Sequence, residues 1–233
     1  MKSLHTFIIS WPGQEAKAKF IYESILDHTD YVTVLHGDET LPDILSMKDS
    51  ISTGSAGYYG QKFKRCLELN LGDTLFIISA DASCNDWTSC LKRCRLFFDT
   101  QNNPGVWAPD INFTPWTDDR VVLFRDHQMP YAIVAQTDGI VWGISMPIIT
   151  RLKNLNYEDN HYGWGIDWAA IAYAFLNNLL VVRDYEVKIT HPKASGYSRI
   201  DAEISMSKFL NQLTPMEQSQ ITLLSNFTNR STA

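Results

Sequence analysis

The run Thr74-Leu-Phe-Ile-Ile-Ser79 constrains this chain more than any other stretch. It shows no alternation of polar and apolar residues, so a strand formed there has no face suited to water. Strands of that kind belong to parallel sheets covered by helices on both sides. A single carboxylate, Asp81, follows among the small residues of Ser79-Ala-Asp-Ala-Ser83. An apolar core disfavours an acid and a simple turn does not require one, so Asp81 either stabilises a turn or does chemistry.

The flanking segments agree with a parallel sheet. "HTFIISW" reads as a first strand, Pro12 and Gly13 interrupt it, and "QEAKAKFIYESILDH" has apolar residues at helical spacing. "YVTVLHGDE" is a second strand, and "TLPDILSMKDSISTGSAGYYG" reads as a loop or short helical turns near a site. "GQKFKRCLELN" is then a helix before the apolar strand. Downstream, "DWTSCLKRCRLFFDTQ" is a helix opened by Asn85 or Asp86, followed by short strands in "VWAPDINFTPW", "DRVVLF" and "YAIVAQTDGIVWGISM". "PIITRLKNLN" begins with a proline suited to a first helical turn, "GIDWAAIAYAFLNNL" is the most apolar helix, and "LVVRDYEVKITH" is a final strand. The expected fold is a three-layer α/β sandwich with a Rossmann-like first half and a mixed central sheet. Residues 1–200 form its body, divided near 100, and 201–233 a polar helical tail.

With 233 residues, 45% of them hydrophobic, the chain can bury one sizeable core. A formal charge of -6 and scattered basic residues argue against a general grip on nucleic acid. The start "MKSLHTFIISWPG" does not look like a signal peptide, and no apolar run reaches the length of a membrane span. These features predict a soluble, cytoplasmic protein and leave peripheral membrane contact open. Cys66, Cys84, Cys90 and Cys94 form no zinc pattern and read as reduced, packed thiols.

In an open parallel sheet, ligands bind beyond the carboxyl ends of the strands. That rule places Ser10, Trp11 and Pro12, then Gly37, Asp38 and Glu39, then Ser79 to Ser83 on one rim. The chain has neither GxGxxG nor GxxxxGK[ST], so a bound diphosphate would need another counter-charge. A divalent cation held by a carboxylate is the ordinary solution, and Asp81 stands where it would sit.

The order of elements, Ser79-Ala-Asp81 in place of an Asp-x-Asp, "GWGIDW" at 163–168 and "THPKASGY" at 190–197 together resemble a GT-A fold glycosyltransferase of the family 2 kind. The resemblance covers roughly residues 5–197. It implies a nucleotide-sugar donor and a hydroxyl acceptor on a glycan or glycolipid. Mn2+ or Mg2+ would be held by Asp81 and His191. It also implies that Asp167 is the base of an inverting transfer, with Ile166 replacing the acid that often precedes it. Ser10, Trp11, Pro12, Asp38 and Ser79 would border the nucleotide sugar.

Glycines on either side of Trp164 let the backbone approach a ligand, and the indole gives sugars a flat face. Gly163 and Trp164 are therefore assigned to the acceptor, with Trp142 from the preceding "TDGIVWGIS" strand and Trp116, which has no periodic reason for burial. Plainer readings stand beside these. Asp167 also suits a helix cap, Asp38 a turn, Trp11 simple packing, and Lys62 and Lys64 a solvated helix face with phosphate contact as the alternative. A sugar-phosphate nucleotidyltransferase and a non-catalytic carbohydrate- or nucleotide-binding module are the competing functions. The first normally carries a glycine-rich start with arginine that "SWPGQEAKAK" lacks.

Overall fold

The structure, a computed structural model, describes residues 1–37, 48–54, 58–114, 116, 119–126, 128–192 and 196–230. Strand β1 (Leu4–Ile9) leads through helix α1 (Glu15–Ile25) to β2 (Tyr31–His36) and the short β3 (Ser50–Ser52). Helix α2 (Tyr59–Leu69) then precedes β4 (Thr74–Ser79) and the two-residue β5 (Ser83–Cys84). After α3 (Trp87–Thr100) come β6 (Pro104–Ile111), β7 (Val122–Arg125), β8 (Tyr131–Val134) and β9 (Val141–Ser145). The remaining elements are α4 (Met146–Lys153), α5 (Ile166–Leu176), β10 (Leu180–Thr190), α6 (Arg199–Leu210) and α7 (Pro215–Arg230).

One sheet in the order β3-β2-β1-β4-β9-β6-β10-β8-β7 unites the strands, and β5 pairs with β10 off that path. The β3-β2-β1-β4 side is wholly parallel, as the strand–helix alternation predicts. Strand β9 enters antiparallel between β4 and β6, which makes the second half mixed. Sequence reading missed β3 because three residues carry too short a pattern to separate from loop.

The apolar β4 run has the predicted reason: every residue in it is buried. Phe7, Ile9, Leu75 and Ile77 point to the layer of α2, α4 and α5, whereas Leu4, Ile8, Phe76 and Ile78 meet α1 and α3. Helix α3 inserts Trp87, Cys90, Leu91, Cys94, Phe97 and Phe98, the stripe expected of a helix on a sheet. Asp86 is its cap, accepting Ser89 N–H at 2.9 Å. Gly143 in β9 admits this helix, since a Cβ there would lie 2.7 Å from Cys94 Sγ. Cys66, Cys90 and Cys94 are buried free thiols and Cys84 is half-buried, matching the packed-thiol expectation.

Helices α6 and α7 lie against the body, with Phe209, Leu213 and Leu224 in the core shared with Leu155, Tyr157 and Ile166. Arg151 on α4 forks onto both carboxylate oxygens of Glu217 on α7 at 2.7 and 2.8 Å. Among the described residues, no helix is long and apolar enough to cross a membrane.

Candidate active site

The chain crossing brings Asp81 and His191 together. Asp81 follows β4, and β5 just beyond it pairs antiparallel with the end of β10, Ser83 with Thr190 and Cys84 with Ile189. His191 is the next residue, and its backbone N–H donates to Asn112 Oδ1 at 3.0 Å. The result is 3.3 Å between His191 Nε2 and Asp81 Oδ2, both side chains mostly buried. Asp81 Oδ1 is also buried and has no hydrogen-bond partner among the described residues.

An orphaned carboxylate oxygen beside an imidazole fits a cation. Neighbouring ligands on one octahedral ion, each about 2.1 Å from it, are about 3 Å apart. Among the described residues no third histidine, cysteine or carboxylate completes a cluster. Such a two-ligand arrangement suits an ion that takes its other oxygens from water and a substrate phosphate.

Asp167 is in the first turn of α5, on the same rim. Gln136 Nε2 donates to Asp167 Oδ2 at 3.2 Å. Burial, followed by repulsion from Asp138, pushes the Asp167 carboxyl up to about 7. Burial likewise pushes Asp138 up to about 6, opposed first by the attraction of His191. Asp138 thus feels both the Asp81–His191 pair and Asp167.

Residues 136–140 join the two halves of the site. Gln136 reaches Asp167, Asp138 Oδ1 accepts Ile140 N–H at 3.1 Å, and Ile140 O accepts Ser79 N–H at 2.9 Å at the end of β4. Tyr59 secures the turn from α2, donating its hydroxyl to Gly139 O at 2.8 Å. Its hydroxyl also feels Ser79, in the position expected to replace the first acid of an Asp-x-Asp. Sequence reasoning missed Tyr59, Gln136 and buried Asn160. Only the polar "QTD" between apolar strands hinted at one of them.

Asn160 shapes the Gly163–Gly165 turn. Its Oδ1 accepts Gly163 N–H at 3.0 Å and its Nδ2 donates to Trp164 O at 3.2 Å. Gly163 has φ +78°, and a Cβ there would lie 2.2 Å from the Tyr59 ring, so both backbone freedom and absent volume are required. The turn holds Trp164 half-exposed, its indole N–H donated to Tyr197 Oη at 2.9 Å.

The other expected residues divide. Trp116 meets Trp168 edge-on at 5.7 Å, beside a small cavity bounded by Gln136 and by Leu224 and Ser225 of α7. Trp142 is only 1% exposed and stacks on Phe63, so it offers the acceptor no surface in this conformation. Ser10 is fully buried with a hydroxyl that has no partner among the described residues, Trp11 packs partly buried on the core, and Pro12 is exposed. Asp38 and Glu39 lie outside the described residues. Lys62 departs from the solvated-face reading. It is 3% exposed, its Nζ donates to Ser10 O at 2.6 Å, and burial pulls its ammonium down to about 8. Lys64 Nζ donates to Lys153 O rather than to the rim.

The parallel first half, the antiparallel β9 and the site at the carboxyl ends of the first strands define a GT-A-type fold. Neither a family model nor a curated protein sequence matches the chain. Solved structures share the fold at low identity. GalNAc-T7 with UDP, GalNAc and Mn2+ aligns with TM-score 0.62 and 10% identity over 94% of this chain. The alignment covers 49% of the GalNAc-T7 chain, so this chain spans about half its length. The mannosyltransferase PcManGT from Pyrobaculum calidifontis, in complex with GDP-Man and Mn2+, aligns with TM-score 0.59 and 11% identity over 97% of this chain and 70% of its own. A putative glucose-1-phosphate thymidylyltransferase from Bacillus anthracis aligns with TM-score 0.52 and 10% identity over 93% of this chain and 99% of its own.

Proposed function

We propose that this protein transfers a sugar from a nucleotide diphosphate to a hydroxyl of a glycan or glycolipid acceptor. The observation that carries this reading is the 3.3 Å approach of His191 to Asp81, on the rim that also holds Asp167. Asp81 and His191 would hold a divalent cation, Mn2+ or Mg2+, which supplies positive charge to the departing diphosphate. Ser10, Trp11, Pro12, Asp38 and Ser79 border the donor, while Trp116, Gly163 and Trp164 border the acceptor.

Asp167 takes the proton from the acceptor hydroxyl, whose oxygen bonds to the anomeric carbon as the bond to the diphosphate breaks. The leaving oxygen keeps that electron pair, and the anomeric configuration inverts. A carboxyl raised to about 7 is ionised at slightly alkaline pH and matched to this role. Gln136 holds one Asp167 oxygen, Oδ2, and so fixes the carboxylate's orientation.

A thermal-shift screen of nucleoside diphosphates and nucleotide sugars, with and without Mn2+, tests the reading, because a ligand that binds only the folded state raises its stability. A Mn2+-dependent shift with at least one nucleoside diphosphate is expected, followed by sugar transfer to a hydroxyl acceptor. Release of diphosphate from a nucleoside triphosphate and a sugar phosphate would instead favour nucleotidyl transfer. Binding of free sugars alone would favour a non-catalytic module.

A further inference from the structure

The cation pair and Asp167 account for the two ends of the site but not for Asp138 between them. This acid is half-buried, and its Oδ1 is engaged by Ile140 N–H at 3.1 Å. It is fixed at both ends. Gln136 ties the chain on one side to Asp167, and Ile140 O ties the other to Ser79. Tyr59 pins Gly139 in the middle at 2.8 Å. The Asp138 carboxylate therefore has little freedom and interacts electrostatically with Asp81, His191 and Asp167. Ile140 N–H and the attraction of His191 offset part of the cost of a half-buried acid near two other carboxylates, and a ligand that provides further donors would offset more of it.

On the function proposed above, the transferred sugar must lie between a cation-bound diphosphate at Asp81 and a base at Asp167. Asp138 occupies that interval. We propose that Asp138 reads the transferred sugar by accepting hydrogen bonds from its hydroxyls, and that the donor sugar carries no carboxylate of its own. Sugar hydroxyls are donors that a fixed carboxylate can accept, and such charge-assisted bonds are stronger than neutral ones. Asp81, Asp138 and Asp167 would repel a uronic acid at the same place, so the acids select by exclusion as well as by attraction.

The inference rests on the proposed function, and calorimetry can separate the two. Wild type and Asp138→Asn are titrated, in the presence of Mn2+, with UDP, GDP, their neutral hexose esters and UDP-glucuronic acid. Asparagine keeps an oxygen for Ile140 N–H, and unfolding temperatures establish that the variant is folded. The expected result is unchanged binding of the free diphosphate, within about twofold, and a loss of about 10- to 100-fold for the preferred neutral sugar ester. The preference for that ester over UDP-glucuronic acid should narrow in the variant. Equal losses for diphosphate and sugar ester would assign Asp138 to the cation instead and overturn the proposal, as would no change in either. If wild type binds no nucleoside diphosphate, the function proposed above fails and this inference falls with it. If wild type binds and Asp138→Asn behaves identically, this inference alone fails.

Discussion

His191 Nε2 and Asp81 Oδ2 approach to 3.3 Å where two backbone pairings bring their segments together. Ser83 pairs with Thr190 and Cys84 with Ile189, so the residues just after Asp81 are bound to those just before His191. The strand ends thus create the juxtaposition, and on the proposed function the buried Asp81 Oδ1, without a hydrogen-bond partner among the described residues, would face the cation.

If both side chains hold one cation, their effects are not independent. Asp81→Asn and His191→Ala should each lower Mn2+-dependent binding of UDP or GDP by at least the 10- to 100-fold roughly associated with metal-site support residues. The double variant should be little worse than the more damaging single change, because either removal already disables the site. Calorimetric titration of the four proteins checks this, and fully additive losses would count against a shared ion.

Turnover should depend on Asp167 more than donor binding does. Asp167→Asn should reduce kcat by about 100- to 10,000-fold with nucleoside diphosphate affinity retained. In wild type, kcat should fall as pH drops below about 7, where the raised Asp167 carboxyl takes up a proton. A pH–rate profile checks both points, and a flat acidic limb from pH 8 to 5 would remove Asp167 as the base.

The backbone plan was legible because it follows local patterns. The apolar β4 run, the stripe of α3 and the Asp86 cap each match their sequence signal. Lys62 was not legible, since a lysine between Gln61 and Phe63 carries no mark that its ammonium ends on Ser10 O. Tyr59 and Gln136 escaped for the same reason. Their roles arise from partners far along the chain, Gly139 and Asp167, and such pairings exist only once the sheet has assembled. Trp142 shows the converse, because the likeness of "TDGIVWGIS" to an acceptor-side strand suggested an acceptor contact, but its strand turns it onto Phe63 in the core.

Raising the Asp167 carboxyl to about 7 also has a stability consequence. The folded protein holds a proton there that the unfolded chain, with an ordinary carboxyl near 3.9, has released. Between pH 4 and 7 the folded state binds more protons at this residue, so its contribution to stability declines as pH rises through that window. Asp167→Asn removes the buried charge and should raise Tm at pH 8, by about 2–4 °C for each kcal/mol relieved. The gain should shrink toward pH 4, where the wild-type carboxyl is neutral in both states. Melting curves of the two proteins at pH 4 to 8 measure it, and a gain independent of pH would refute the assignment.

Gly163 is the strictest backbone requirement near Asp167. At φ +78° an L side chain is strained, and the first carbon of that side chain would lie 2.2 Å from Tyr59 Cδ1. Gly163→Ala should therefore lower stability by about 1–3 kcal/mol from conformation alone, with additional loss if Tyr59 must shift from Gly139 O. Tyr59→Ala removes the obstructing ring. Adding Gly163→Ala to a Tyr59→Ala background should consequently cost less than adding it to wild type, leaving only the conformational part. Denaturant unfolding of the four proteins gives that coupling. Equal costs in both backgrounds would show that Tyr59 does not set the limit at Gly163, and that φ alone demands the glycine.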